Sequence, residues 1–117
     1  MDMIFNIKEN ILVAELFGEL DHHAAGKVRE DTDSAMETYG CRDLVFDFTR
    51  VTFMDSSGIG VILGRYRKLS AAGGRVAITG CSLTVRNILN MAGVFSLVDY
   101  FDTRDEAVNY LNRKDVS

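Results

Sequence analysis

Residues 53 to 69 read FMDSSGIGVILGRYRKL, gathering Asp55, Ser56, Ser57, Gly58, Gly60 and Gly64 where a helix should begin. Three chemistries use such residues. A phosphate-cradling loop needs glycines at set intervals, but GxGxxG fails at Leu63. The P-loop pattern fails at Arg65, which stands where lysine would follow Gly64. A nucleophile elbow, GxSxG, needs glycine two positions before the serine, where Met54 precedes Ser56 and Asp55 precedes Ser57. His22 and His23 fall in the first turn of another helix, where exposed histidines are ordinary. A chain of 117 residues also leaves little material for a substrate cleft. A small serine hydrolase is kept only as an alternative.

The third chemistry is that of a hydroxyl at a helix N-terminus. The first N–H groups of a helix lack intrahelical partners and its dipole favours negative charge, so a phosphate on Ser56 is chemically suited to this place. Asp and Ser also cap helices there, and the two roles are compatible: Asp55 caps while Ser56 presents its hydroxyl. Glycine costs a helix interior about 1 kcal/mol relative to alanine. Gly60 and Gly64, four apart, therefore imply close packing on one helix face, against the sheet or against a partner.

Stepping outward, the elements that must hold this stretch can be placed from periodicity. MIFNI and ILVAELF, separated by KEN, read as a hairpin of two strands. After Asp21, which can cap, Ala25, Val28, Thr32, Ala35 and Tyr39 recur at helical spacing up to Gly40. DLVFDFT alternates, with Leu44, Phe46 and Phe48 on one face, and hands over at Asp55 to Ile59, Ile62, Leu63, Tyr66 and Leu69 at helical spacing. Arg65, Arg67 and Lys68 suit the negative pole of that helix's dipole. RVAIT is a strand, a helix runs from about Thr84 to Ala92, and LVDYF is a short strand. Thr103 with Glu106 then makes a capping box for a helix through Leu111. The order is ββαβαβαβα, which predicts an α/β (α+β mixed) class with one open mixed sheet, right-handed crossovers and helices packed on it.

Composition narrows the function. Hydrophobic residues make up 47% of the chain, enough for one globular core, and residues 1–117 are expected to form a single domain. No apolar run of about 18 residues and no signal-peptide pattern occurs, which predicts a cytoplasmic protein without a membrane segment. Cys41 and Cys81 lack metal-ligand spacing, so neither a metal nor another cofactor is expected. A net charge of −4 disfavours nucleic acid, which needs a basic field. A protein partner or a small ligand is the remaining expectation.

GELDHH at 18–23, FMDSSGIGVILGRYRKL at 53–69 and NMAGVFSLVDYF at 90–101, in this order and spacing, resemble the bacterial anti-sigma factor antagonists of the STAS domain family. The likeness is greatest to the sporulation antagonists and extends over almost the whole chain. Stress-response antagonists and the tails of anion transporters share the fold but usually lack DHH followed by VILGRYRKL. The resemblance implies a partner switch rather than an enzyme. The unphosphorylated protein would bind an anti-sigma factor and free the sigma factor it held. The anti-sigma factor, a serine kinase, would use ATP to phosphorylate the antagonist and dissociate it, and a membrane-bound serine phosphatase would reverse the mark. The family's phosphoacceptor maps to Ser56, with Asp55 and Ser57 beside it. Gly58 and Gly60 match glycines of its phosphorylatable turn and helix, and Asp21 matches an acidic residue implied in contacting the anti-sigma factor. A constitutive STAS scaffold that is never phosphorylated is the rival expectation.

Overall fold

The apolar and β-branched residues at the start of the chain form a hairpin of β1 (Asp2–Lys8) and β2 (Ile11–Leu20), with Glu9 at φ 57° in the turn. The computed structural model describes residues 1–116, with side chains described through Asn112. α1 (His22–Tyr39) follows and ends on Gly40, whose φ of 63° is a conformation glycine adopts without steric cost. β3 (Asp43–Met54), α2 (Ser56–Ala71), β4 (Val76–Thr79), α3 (Leu83–Met91), a 3₁₀ turn (Val94–Ser96), β5 (Asp99–Phe101) and α4 (Arg104–Val116) complete the expected order. The strands lie side by side as β1-β2-β3-β4-β5, antiparallel within the hairpin and parallel from β2 onward.

Strand alternation sends side chains to two cores. Leu12, Ala14, Leu44, Phe46 and Phe48 face one way and pack with Val28 of α1, Ile62 of α2 and Leu89 of α3. The stacked Phe46 and Phe48 rings, with centroids 5.5 Å apart, stand in that layer. Ile11, Val13, Val45 and Ala77 face the other way, under Ala107, Val108 and Leu111 of α4. Each fully buried Leu, Ile or Phe contributes about 1.5–3 kcal/mol relative to exposure, so both layers stabilise the sheet.

Two local expectations, on α1 and α4, differ from the structure. The buried face of α1 is Ala24, Val28, Thr32, Ala35 and Met36, and Tyr39 is exposed, because the helix is rotated slightly from the face that included Ala25 and Tyr39. β3 runs to Met54 and hands over to α2 at Asp55 as expected, with β2 pairing along it through two register shifts. At the head of α4, the Thr103 hydroxyl accepts from the Glu106 amide at 3.2 Å and donates to the Glu106 carboxylate at 3.0 Å, so that carboxylate caps through the hydroxyl.

Candidate phosphorylation and partner-binding site

β2 and β3 are parallel neighbours that end in register, Leu20 opposite Met54, and each is followed by an aspartate. Both aspartates have extended backbone and cap the helix that follows. Asp21 Oδ1 accepts from the Ala24 amide at 3.0 Å, and Asp55 Oδ1 accepts from the Ser57 amide at 2.8 Å. A 3.4 Å bond from the Asp55 amide to the Leu20 carbonyl ties the two junctions together. The pairing of two strands thus places the starts of α1 and α2 side by side at the carboxyl ends of the parallel strands, where open α/β sheets carry ligands.

Ser56 is the first residue of α2, exposed, and its hydroxyl makes no hydrogen bond among the described residues. Ser57 is half-buried and turns toward α1. Most of the helix start is already taken: the Ser57 amide bonds to the Asp55 carboxylate, and those of Gly58 and Ile59 bond to the Asp55 carbonyl at 3.1 and 3.4 Å. A phosphate on Ser56 would keep the favourable dipole, but these three donors are committed to Asp55.

The glycines divide sharply. Gly58 is buried, and a Cβ there would meet Met54 Cγ at 2.6 Å, Leu20 Cγ at 3.0 Å and the Leu20 carbonyl oxygen at 3.1 Å. It lets α2 begin directly on the ends of β2 and β3. Gly60 and Gly64 have nothing within 4 Å of a Cβ. The close packing expected from the pair is not made within the chain.

Two concavities flank the aspartates. One, of about 410 Å³, is acidic and contains Asp2, Glu19, Asp21 and His23. The other, of about 350 Å³, runs between α1 and α2 and is lined by Gly26, Arg29, Ser57, Gly60, Gly64 and Arg65, among others. Sequence reasoning missed Gly26 and Arg29, which carry no motif, gave no role to Glu19 within GELDHH, and placed Arg65 at a helix end. Arg65 is instead 8% exposed and reaches Asp33 of α1 at 2.9 Å, joined there by Lys68 at 3.3 Å. His22 and His23 are exposed, their rings edge to face at 6.0 Å.

The model of the STAS domain matches residues 2–107. The chain belongs to the STAS domain family. This STAS domain is 38% identical over 101 residues to an anti-sigma F factor antagonist of Paenibacillus polymyxa, covering 86% of each chain. It superposes on the anti-sigma factor antagonist SpoIIAA in its unphosphorylated form with a TM-score of 0.76 at 33% identity, covering 95% of this chain and 98% of that one. On the phosphorylated form of the Bacillus cell-fate determinant SpoIIAA the TM-score is 0.73, also at 33% identity, covering 93% and 98%. No helix among the described residues is long and apolar enough to cross a membrane.

Proposed function

We propose that this chain is a cytoplasmic, single-domain anti-sigma factor antagonist of the sporulation type, switched off by phosphorylation of Ser56. The observation that carries the reading is an exposed, unbonded serine hydroxyl at the head of α2, beside a second aspartate-capped helix start. Its relatives include an anti-sigma F factor antagonist, and a solved relative exists in both phosphorylation states. The partners are an anti-sigma factor that is also a serine kinase, a serine phosphatase and, indirectly, a sigma factor. The chain acts by binding and not as an enzyme.

The unphosphorylated surface would offer a neutral hydroxyl at Ser56, with Asp21, Asp55, Ser57 and Gly60 around it and Gly58 underneath. Phosphorylation adds about 1.5 to 2 negative charges at pH 7. They would stand next to Asp55 and the acidic cleft of Glu19 and Asp21, where the amides of Ser57, Gly58 and Ile59 are already bonded to Asp55. An unpaired phosphate buried against a fitted partner costs several kcal/mol, and about 1.4 kcal/mol is tenfold in affinity, so obstruction alone reverses binding.

Incubation with the cognate anti-sigma kinase and ATP, followed by peptide mass spectrometry, should place one phosphate on Ser56. A Ser56→Ala protein should stay unmodified and keep the anti-sigma factor bound whether ADP or ATP is present. A phosphate on Ser57 in the unsubstituted protein overturns the assignment. A complex that survives quantitative modification overturns the switch.

A further inference from the structure

Gly26 in α1 and Gly60 and Gly64 in α2 lie within helix interiors, yet a Cβ at any of them would meet nothing within 4 Å. Each glycine lowers helix stability, and the fold gains no close approach in return. All three line the same groove between the helices. Beside them Arg65 presents a second, independent anomaly. Its side chain is only 9% exposed, and neither Nε nor Nη1 makes a hydrogen bond among the described residues. Asp33 lies 2.9 Å from Nε and offsets the charge, but the pair lacks hydrogen-bond alignment, and Nη1 has no acceptor. The guanidinium therefore puts a positive charge in the groove wall that its single close carboxylate does not fully hydrogen-bond.

Charge selects the kind of acceptor. The chain carries a net −4, but the residues lining this groove include Arg29 and Arg65 and no carboxylate. Arg29 is exposed, its nearest carboxylate, Glu30, standing 3.9 Å away. The groove also includes Ser57, next to the proposed phosphoacceptor, so it continues the surface argued above.

We propose that the α1–α2 groove receives an acidic segment of the anti-sigma factor. Its backbone lies against Gly26, Gly60 and Gly64, and a carboxylate reaches the exposed Arg29, in the positive field to which Arg65 contributes. This rests on the antagonist reading and names the chemistry of the partner's element. The acidic cleft around Asp21 then takes the partner's basic groups, so the two concavities fix its orientation by opposite charge.

Affinity for the anti-sigma factor of the same organism, measured with ADP by calorimetry, tests this with two variants that leave the core untouched. Gly64→Leu fills the groove and should weaken binding about tenfold or more, while its melting temperature stays at or above that of the parent. Arg29→Glu reverses the rim charge and should also weaken binding about tenfold, with a loss that shrinks at high salt. Parent binding that phosphorylation abolishes, with Gly64→Leu binding as the parent does, overturns the groove and leaves the switch standing. Weakening by Gly64→Leu alone, with Arg29→Glu unchanged, overturns the acidic occupant. Absence of binding by the unmodified parent overturns both.

Discussion

The two faces of the sheet are finished in opposite ways. Under α4 the charges of Asp47, Glu15 and Arg104 are matched within the chain. Asp47, 6% exposed, accepts from the Thr49 hydroxyl at 2.6 Å and amide at 3.0 Å through one oxygen, and from Arg104 at 2.7 and 3.2 Å through the other. Glu15 takes the same guanidinium at 3.3 Å. On the α1–α2 side the buried Arg65 pairs, among the described residues, with Asp33 alone, and glycines with no internal neighbour leave a groove beside it. The first cluster, whose charges are matched within the chain, serves stability. A helix pair that leaves its own propensity unused and keeps a positively charged groove open is arranged for something outside the chain.

The largest effect that would sharpen this contrast comes from the one glycine of the DSSG turn that faces inward. Gly58→Leu forces a side chain into Met54 Cγ, Leu20 Cγ and the Leu20 carbonyl, and backbone cannot yield as a side chain does. We expect a loss of about 3 kcal/mol, the upper end for overpacking, and a melting temperature lower by roughly 10 °C in calorimetry. Unchanged melting would mean that the head of α2 does not sit on the strand ends as described.

Next in size is the α4 face. Arg104→Ala removes two charge-assisted bonds from Asp47 while leaving those from Thr49, and should cost about 2 kcal/mol in denaturant titrations at neutral pH. Burial by itself would push the Asp47 carboxyl up. The Thr49 hydroxyl, the Arg104 guanidinium and the Thr49 amide outweigh it, so the carboxyl sits below its ordinary value. A lowered folded pKa contributes stability that is present above the unfolded value, about 3.9 for aspartate, and is lost as pH falls through the lower folded value. In Arg104→Ala burial faces fewer opposing contacts, so the loss begins at higher pH. The gap between parent and variant should then narrow as pH falls below the ordinary aspartate range, and close furthest beneath the parent's lowered value, where Asp47 is protonated in both. A gap that stays constant from neutral to acid pH would remove Asp47 as the group that Arg104 serves.

The same contrast explains what the sequence made legible. Signals that act within four residues were readable: Asp21, Gly40 and Asp55 as caps, the hairpin at KEN, the capping pair at Thr103 and Glu106. The junction of β3 and α2 was readable because Asp55 and the serines announce a helix start. Features that depend on distant partners were not. Arg65 reads as a helix-end cation, yet its partner Asp33 lies on another helix, and Asp47 and Arg104 meet only because α4 folds back under β3. Adjacent alanines at 24 and 25 blur the period of α1, so Tyr39 was assigned to a face the helix turns to solvent. For the glycines, spacing was visible but direction was not. Gly58 faces Leu20 and Met54, whereas Gly60 and Gly64 face open space, and only the sheet register decides between them.

The smallest effect bears most directly on why the open face exists. Gly64→Ala adds a methyl group where nothing lies within 4 Å, in a helix interior where alanine is preferred by about 0.5–1 kcal/mol. The melting temperature should rise by a few degrees, opposite in sign to Gly58→Leu six residues earlier. If it rises, the chain keeps Gly64 at a cost to its own stability, and the benefit must lie in what the groove admits. If it falls, Gly64 meets a need of the fold itself, and the groove is a by-product of packing between α1 and α2.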